Sequence, residues 1–86
     1  MPEEQVGKVT HYFGKVSVAG IDVTADEVKV GDTIHISGHT TDLTQTIDSM
    51  QIDNQDVDTA KKGDSIGIKV SDRVRPHDVV YRVLPD

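Results

Sequence analysis

Apolar residues recur at every second position over much of the chain. Ile34 and Ile36 alternate with Thr33, His35 and Ser37, and Ile66, Ile68 and Val70 alternate with Ser65, Gly67 and Lys69. A period of two places alternate side chains on opposite faces of a strand, one of them against a core. The pattern predicts strands over 6–12, 16–23, 33–38, 43–52, 65–70 and 79–84, separated by turn clusters as in a sandwich or barrel. Two segments change phase. Val16 and Val18 lie on one parity and Ile21 and Val23 on the other; Ile47 is likewise out of step with Met50 and Ile52. Both breaks predict bulges, which add one residue and bend a strand around a barrel corner. Thr24-Ala25-Asp26-Glu27 has the form of a capping box. Only Val28 and Val30 follow before Gly31, so one helical turn is the most expected there.

The composition strengthens the strand reading. Thirteen Val, seven Ile and eight Thr give 28 β-branched residues out of 86, against two Leu. Such side chains lose χ1 freedom in a helix and suit a pleated sheet. The length allows one domain, over 1–86 with a flexible stretch at 1–5, around one small core. A closed barrel would hide its strand edges, so the expected fold is all-β, a single closed or nearly closed barrel. With no cysteine, disulfides, thiolate metal sites and a thiol nucleophile are excluded. No apolar run approaches the roughly 20 residues of a membrane span, and Met-Pro-Glu-Glu does not open a signal peptide, so a cytoplasmic address without membrane contact is expected.

An internal echo marks the turns. Lys29-Val30-Gly31-Asp32-Thr33-Ile34-His35-Ile36 recurs as Lys61-Lys62-Gly63-Asp64-Ser65-Ile66-Gly67-Ile68, with a weaker third copy in Arg75-Pro76-His77-Asp78-Val79-Val80. Gly31, Gly63 and His77 take the position where positive φ is needed, and Asp32, Asp64 and Asp78 can bond their own backbone as the strand begins. The echo reads as structural punctuation at strand entry.

Motifs that resemble catalytic ones do not hold. Gly63-Asp64-Ser65-Ile66-Gly67 matches G-x-S-x-G, but a nucleophile elbow needs a sharp strand-to-helix turn, and here the alternation continues as a strand. Gly7 to Gly14 encloses six residues where a phosphate loop needs four, and Val16 stands where Ser or Thr must reach magnesium. An EF-hand register from Asp56 puts Ala60 and Lys61 where an oxygen ligand and glycine are required. His35 and His39, four apart on a strand, are spaced too far for a ready zinc pair. No catalytic residue, metal or cofactor is expected, nor a nucleotide bound by this chain alone.

The net charge of −6 is unevenly spread. No basic residue lies between Lys29 and Lys61, where Asp32, Asp42, Asp48, Asp53, Asp56 and Asp58 fall; Lys69, Arg73, Arg75 and Arg82 follow near the end. Overall acidity opposes non-specific binding to nucleic acid. Lys61, Lys62, Lys69, Arg73 and Arg75 form the expected phosphate-contacting patch. Asp42, Asp48, Asp53, Asp56 and Asp58 form the expected face for a basic protein.

Four segments in order, Val6-Gly7-Lys8-Val9, Val28-Lys29-Val30-Gly31-Asp32, Ala60 to Val70, and Arg75 to Tyr81, resemble the second, β-barrel domain of translational GTPases such as elongation factor Tu. The resemblance spans about residues 6–84 and is nearest to small stand-alone translation-elongation-factor-like proteins. The chain is also similar to the C-terminal barrel of collagenase-like peptidase-family proteins, some of whose relatives modify RNA. The first resemblance implies an all-β fold, a single six-stranded Greek-key β-barrel, that is not an enzyme and docks on the ribosome, on transfer RNA or on a translation protein. The second implies an accessory subunit of a separately encoded collagenase-like peptidase or RNA-modifying protein. The GTPase domain of those factors is missing, and 10–15 lack their longer Gly/Arg-containing turn, so their RNA and aminoacyl contacts are not carried over to residues here.

Overall fold

A computed structural model describes residues 2–25 and 27–84. Ten strands run in chain order: β1 Glu3–Phe13, β2 Val18–Val23, β3 Glu27–Lys29, β4 Thr33–Ser37, β5 Asp42–Thr46, β6 Met50–Ile52, β7 Gln55–Val57, β8 Thr59–Lys61, β9 Ser65–Lys69 and β10 Val79–Val83. The all-β expectation holds, and there is no helix among the described residues. Hence no helix is long and apolar enough to cross a membrane. Asp26, part of the expected capping box, lies outside the described residues; Glu27 begins β3.

The closed six-stranded barrel is corrected. Eight strands form one open sheet in the order β5-β4-β10-β1-β2-β9-β6-β7, and β3 pairs with β8 as a separate ribbon. All the pairings are antiparallel. An open edge is a template for aggregation, and short or charged edge strands blunt it. Here β7 has three residues and carries Asp56, while β5 begins at Asp42. A side chain spans the seam that no ladder closes. Gln45 on β5 donates from Nε2 to the Lys69 carbonyl (2.7 Å) and accepts from the Ser71 N–H (2.8 Å).

Sixteen buried apolar residues form one cluster, from Val6 and Val9 through Ile34, Ile36 and Ile68 to Val80. The ribbon closes one side of it with Val28 and Ala60. Arg82 clamps that ribbon to the sheet: Nη1 donates to the Glu27 carbonyl (2.6 Å) and reaches Asp32 Oδ2 (3.3 Å), while Nη2 pairs with Glu4. These partners outweigh the effect of partial burial and raise the guanidinium pKa. Arg82 therefore does not belong to a solvated basic tail. Residues 3–5, expected to be flexible, pair with β10 instead.

Both phase changes resolve differently from the expected bulges. In β2, Ala19, Ile21 and Val23 face inward without interruption, and Val16 is 56% exposed in the preceding turn. The register shifts fall on β1, between Gln5 and Gly7 and between Val9 and His11. At Ile47 the chain leaves β5, and β6 begins at Met50, so the expected 43–52 strand is β5 plus β6 with a short link between them. Asp53 and Asn54, at φ 52° and 65°, make the tight turn between β6 and β7 with the twist that hairpins favour.

Candidate functional site

The three echoed turns have the same construction. Asp32 Oδ2 accepts from the Lys29 N–H (2.9 Å), Asp64 Oδ2 from the Lys61 N–H (2.8 Å) and Asp78 Oδ2 from the Arg75 N–H (2.9 Å). Gly31, Gly63 and His77 lie at φ 98°, 95° and 78°. The third turn carries the loop between β9 and β10. Val74 anchors that loop in the core, and the His77 N–H donates to the Val9 carbonyl (2.8 Å). Asp78 is itself buried and packs so closely on Gly38 that a Cβ there would lie 1.9 Å from Asp78 Oδ1.

This loop and β1 enclose a cleft of about 500 Å³ whose lining includes His11, Tyr12, Arg73, Arg75 and His77. The expected cationic patch is thus divided. Arg73 and Arg75 meet here, Lys69 borders a separate concavity beside Gln45, and Lys61 stands opposite Glu27 in the ribbon with Lys62 in the turn after it.

A second concavity, about 410 Å³, runs over the outer face of β2 and β9. Its floor is flat because Gly20 and Gly67 are cross-strand partners, and neither carries a side chain. Phe13 and Val16, 51% and 56% exposed, border one end; Asp53 and Asn54 border it from the β6–β7 turn. Two large exposed hydrophobic residues on one groove mark a contact surface more than isolated ones would. Phe13 also stacks on His11, with centroids 5.2 Å apart. The sequence pattern missed this groove because Val16 reads as a core position; the signal was Gly14-Lys15, a turn placed between two apolar residues.

The acidic residues do not form one face. Asp53 borders the groove, Asp56 accepts from Gln51 Nε2 (3.0 Å), and the Asp58 carbonyl accepts from the Val30 N–H (2.9 Å). Asp48 lies in the link between β5 and β6. Asp42 is committed to a histidine. His35 Nε2 lies 2.6 Å from Asp42 Oδ1, and Nδ1 lies 2.9 Å from Glu3 Oε2. The Asp42 hydrogen bond leads the causes that raise the His35 pKa, with the Glu3 bond adding to it against partial burial. His35 thus faces carboxylates rather than His39. Among the described residues no group of three potential ligands gathers for a metal. Ser65, the centre of the G-x-S-x-G match, starts β9 and donates to Asp22 Oδ1 (2.8 Å).

Comparison with known proteins places this geometry. No family model matches the chain. Over 78 residues, 90% of the chain, it is 45% identical to an uncharacterized protease of Methanocaldococcus jannaschii. It is 38% identical over 78 residues to a collagenase of Porphyromonas gingivalis. The chain spans about a fifth of the length of these relatives, 19% and 22%. In solved structures it matches the C-terminal domain of a protein assigned to the U32 peptidases in Geobacillus thermoleovorans. The TM-score is 0.86 at 19% identity, over 94% of this chain and 93% of that one. GDP-bound aIF5B of Aeropyrum pernix matches at TM-score 0.65 and 13% identity, over 96% of this chain and 14% of that one, a likeness of fold alone.

The sequence relatives are named as a protease and a collagenase. They correct the expectation that the chain stands apart from enzymes: it is related to proteins named protease and collagenase. Motifs within these 86 residues were uninformative on that point because the match covers only a fifth of each relative. The translation-factor resemblance rests on shared architecture, and the collagenase-like one extends to sequence.

Proposed function

We propose that the chain is the β-domain of a collagenase-like peptidase system and assembles with the remaining part of such a peptidase. The observation that carries this reading is the 45% identity over 90% of the chain to a protein named a protease, on a fold seen as the C-terminal domain of a protein assigned to the U32 peptidases. The groove of Phe13, Val16, Gly20 and Gly67 is the docking face in this reading. A flat glycine floor with apolar residues at one end admits a partner's aromatic or aliphatic anchor, the usual centre of binding energy in an interface. Asp53 at the edge supplies the acidic contact, and a basic residue on the partner would meet it there. Of the acidic residues described, Asp53 alone lines the groove.

Size-exclusion chromatography tests the reading. The chain is mixed with a collagenase-like peptidase from which the matching fifth has been removed. Co-elution is expected, as is its loss in Phe13→Asp with Val16→Asp, two exposed changes that leave the core intact. Separate elution of the unmodified chain contradicts the proposal.

A further inference from the structure

The three echoed turns provide a comparison within one molecule. At Gly31 and Gly63 the backbone is left-handed, and a Cβ would meet nothing within 4 Å. At the third turn the same position is His77, at φ 78°. A residue with a Cβ carries a conformational penalty there that glycine does not, and such strain concentrates at functional positions. What the histidine adds is its place on the cleft with His11, Arg73 and Arg75.

The cleft's charge is equally distinctive. The chain has 15 acidic residues against 9 Lys and Arg, yet among the described residues no carboxylate lines this cleft. The acids that flank the arginines in sequence turn to the loop's own backbone: Asp72 accepts from the Arg73 N–H (2.7 Å) and Asp78 from the Arg75 N–H (2.9 Å). Asp42 and Asp72 do border a smaller concavity with these arginines. Neither arginine has an ion-pair partner among the described residues, whereas Arg82 has two.

We propose that this cleft binds a phosphate monoester. Two guanidinium groups offer planar donor forks, and each imidazole adds an N–H donor even when neutral. One guanidinium satisfies a carboxylate, whereas a dianionic phosphate has the oxygens and charge to engage a pair. The proposal stands apart from the peptidase reading, since it uses neither the groove nor a partner.

Backbone amide NMR of the whole chain, titrated with inorganic phosphate at constant ionic strength, tests it. Saturable shifts are expected at residues 10–12 and 73–77, with affinity reduced about tenfold or more in Arg73→Ala with Arg75→Ala. Lys61→Ala with Lys62→Ala should bind as the unmodified chain does. His77→Gly should raise the melting temperature while weakening phosphate binding. A histidine that is merely structural would leave binding unchanged in that variant. Linear, dispersed shifts that persist in the double arginine variant overturn the site. Equal binding of acetate overturns the ligand class, as does tighter binding of an oligonucleotide without terminal phosphate.

Discussion

His35 has a carboxylate at each ring nitrogen, one from β1 and one from β5. A neutral imidazole has one N–H, so it can donate to only one ionised carboxylate; the imidazolium donates to both. The folded protein therefore holds the proton more tightly than the unfolded chain, whose histidine titrates near 6.5. The resulting stabilisation is complete below that unfolded value and is lost as pH rises through the raised folded value. Melting temperature should fall by a few degrees between pH 6 and pH 9, and His35→Gln should remove most of that fall. An equal slope in both proteins contradicts the assignment. Gly38 gives a second prediction at this scale. Its hydrogen is all that Asp78 leaves room for, so Gly38→Ala should cost about 1–3 kcal/mol by overpacking, read from urea unfolding. Neither constraint was legible in sequence, because each arises between residues that are remote along the chain.

At the scale of elements, strands with five or more alternating positions were legible. The clean alternation at Ile34 and Ile36 and at Ile66 and Ile68 corresponds to β4 and β9. Strands β3, β7 and β8 have three residues each, too few to display a period, so the separate ribbon and the β7 edge of the sheet were missed. The Ala19 misreading has a related cause. Ala19 fills an inward position but is too small to signal one, so Val16 and Val18 before it looked like the buried set. The ribbon depends on Arg82, whose guanidinium bonds a carbonyl of β3 and carboxylates on either side. Arg82→Ala should destabilise the protein by about 1–3 kcal/mol, because those groups lose a charged partner. Hydrogen exchange should quicken first at Val28 and Ala60, which pair across the ribbon; uniform quickening would contradict a local clamp. Gln45→Ala should release β5 from the end of β9 at a cost of about 1 kcal/mol, measured by thermal unfolding.

For the whole molecule, composition foretold an all-β fold around one core, and the open sheet replaces the closed barrel. The candidate surfaces were partly legible. Arg73 and Arg75 stood out as cations, but the fold separates them from Lys61, Lys62 and Lys69. The glycine-floored groove depends on β2 lying beside β9, a pairing no local pattern contains. The peptidase relationship lies outside composition altogether and enters through the match to proteins roughly five times as long.

In the proposed assembly this chain binds the rest of a collagenase-like peptidase through the Phe13 groove. Isothermal titration of the chain into such a peptidase lacking the matching fifth, repeated at several temperatures, tests it most directly. One-to-one binding with a negative heat-capacity change, as apolar burial requires, is predicted, and Phe13→Asp should abolish the heat. No binding heat at any temperature, or unaltered binding by Phe13→Asp, would contradict the account.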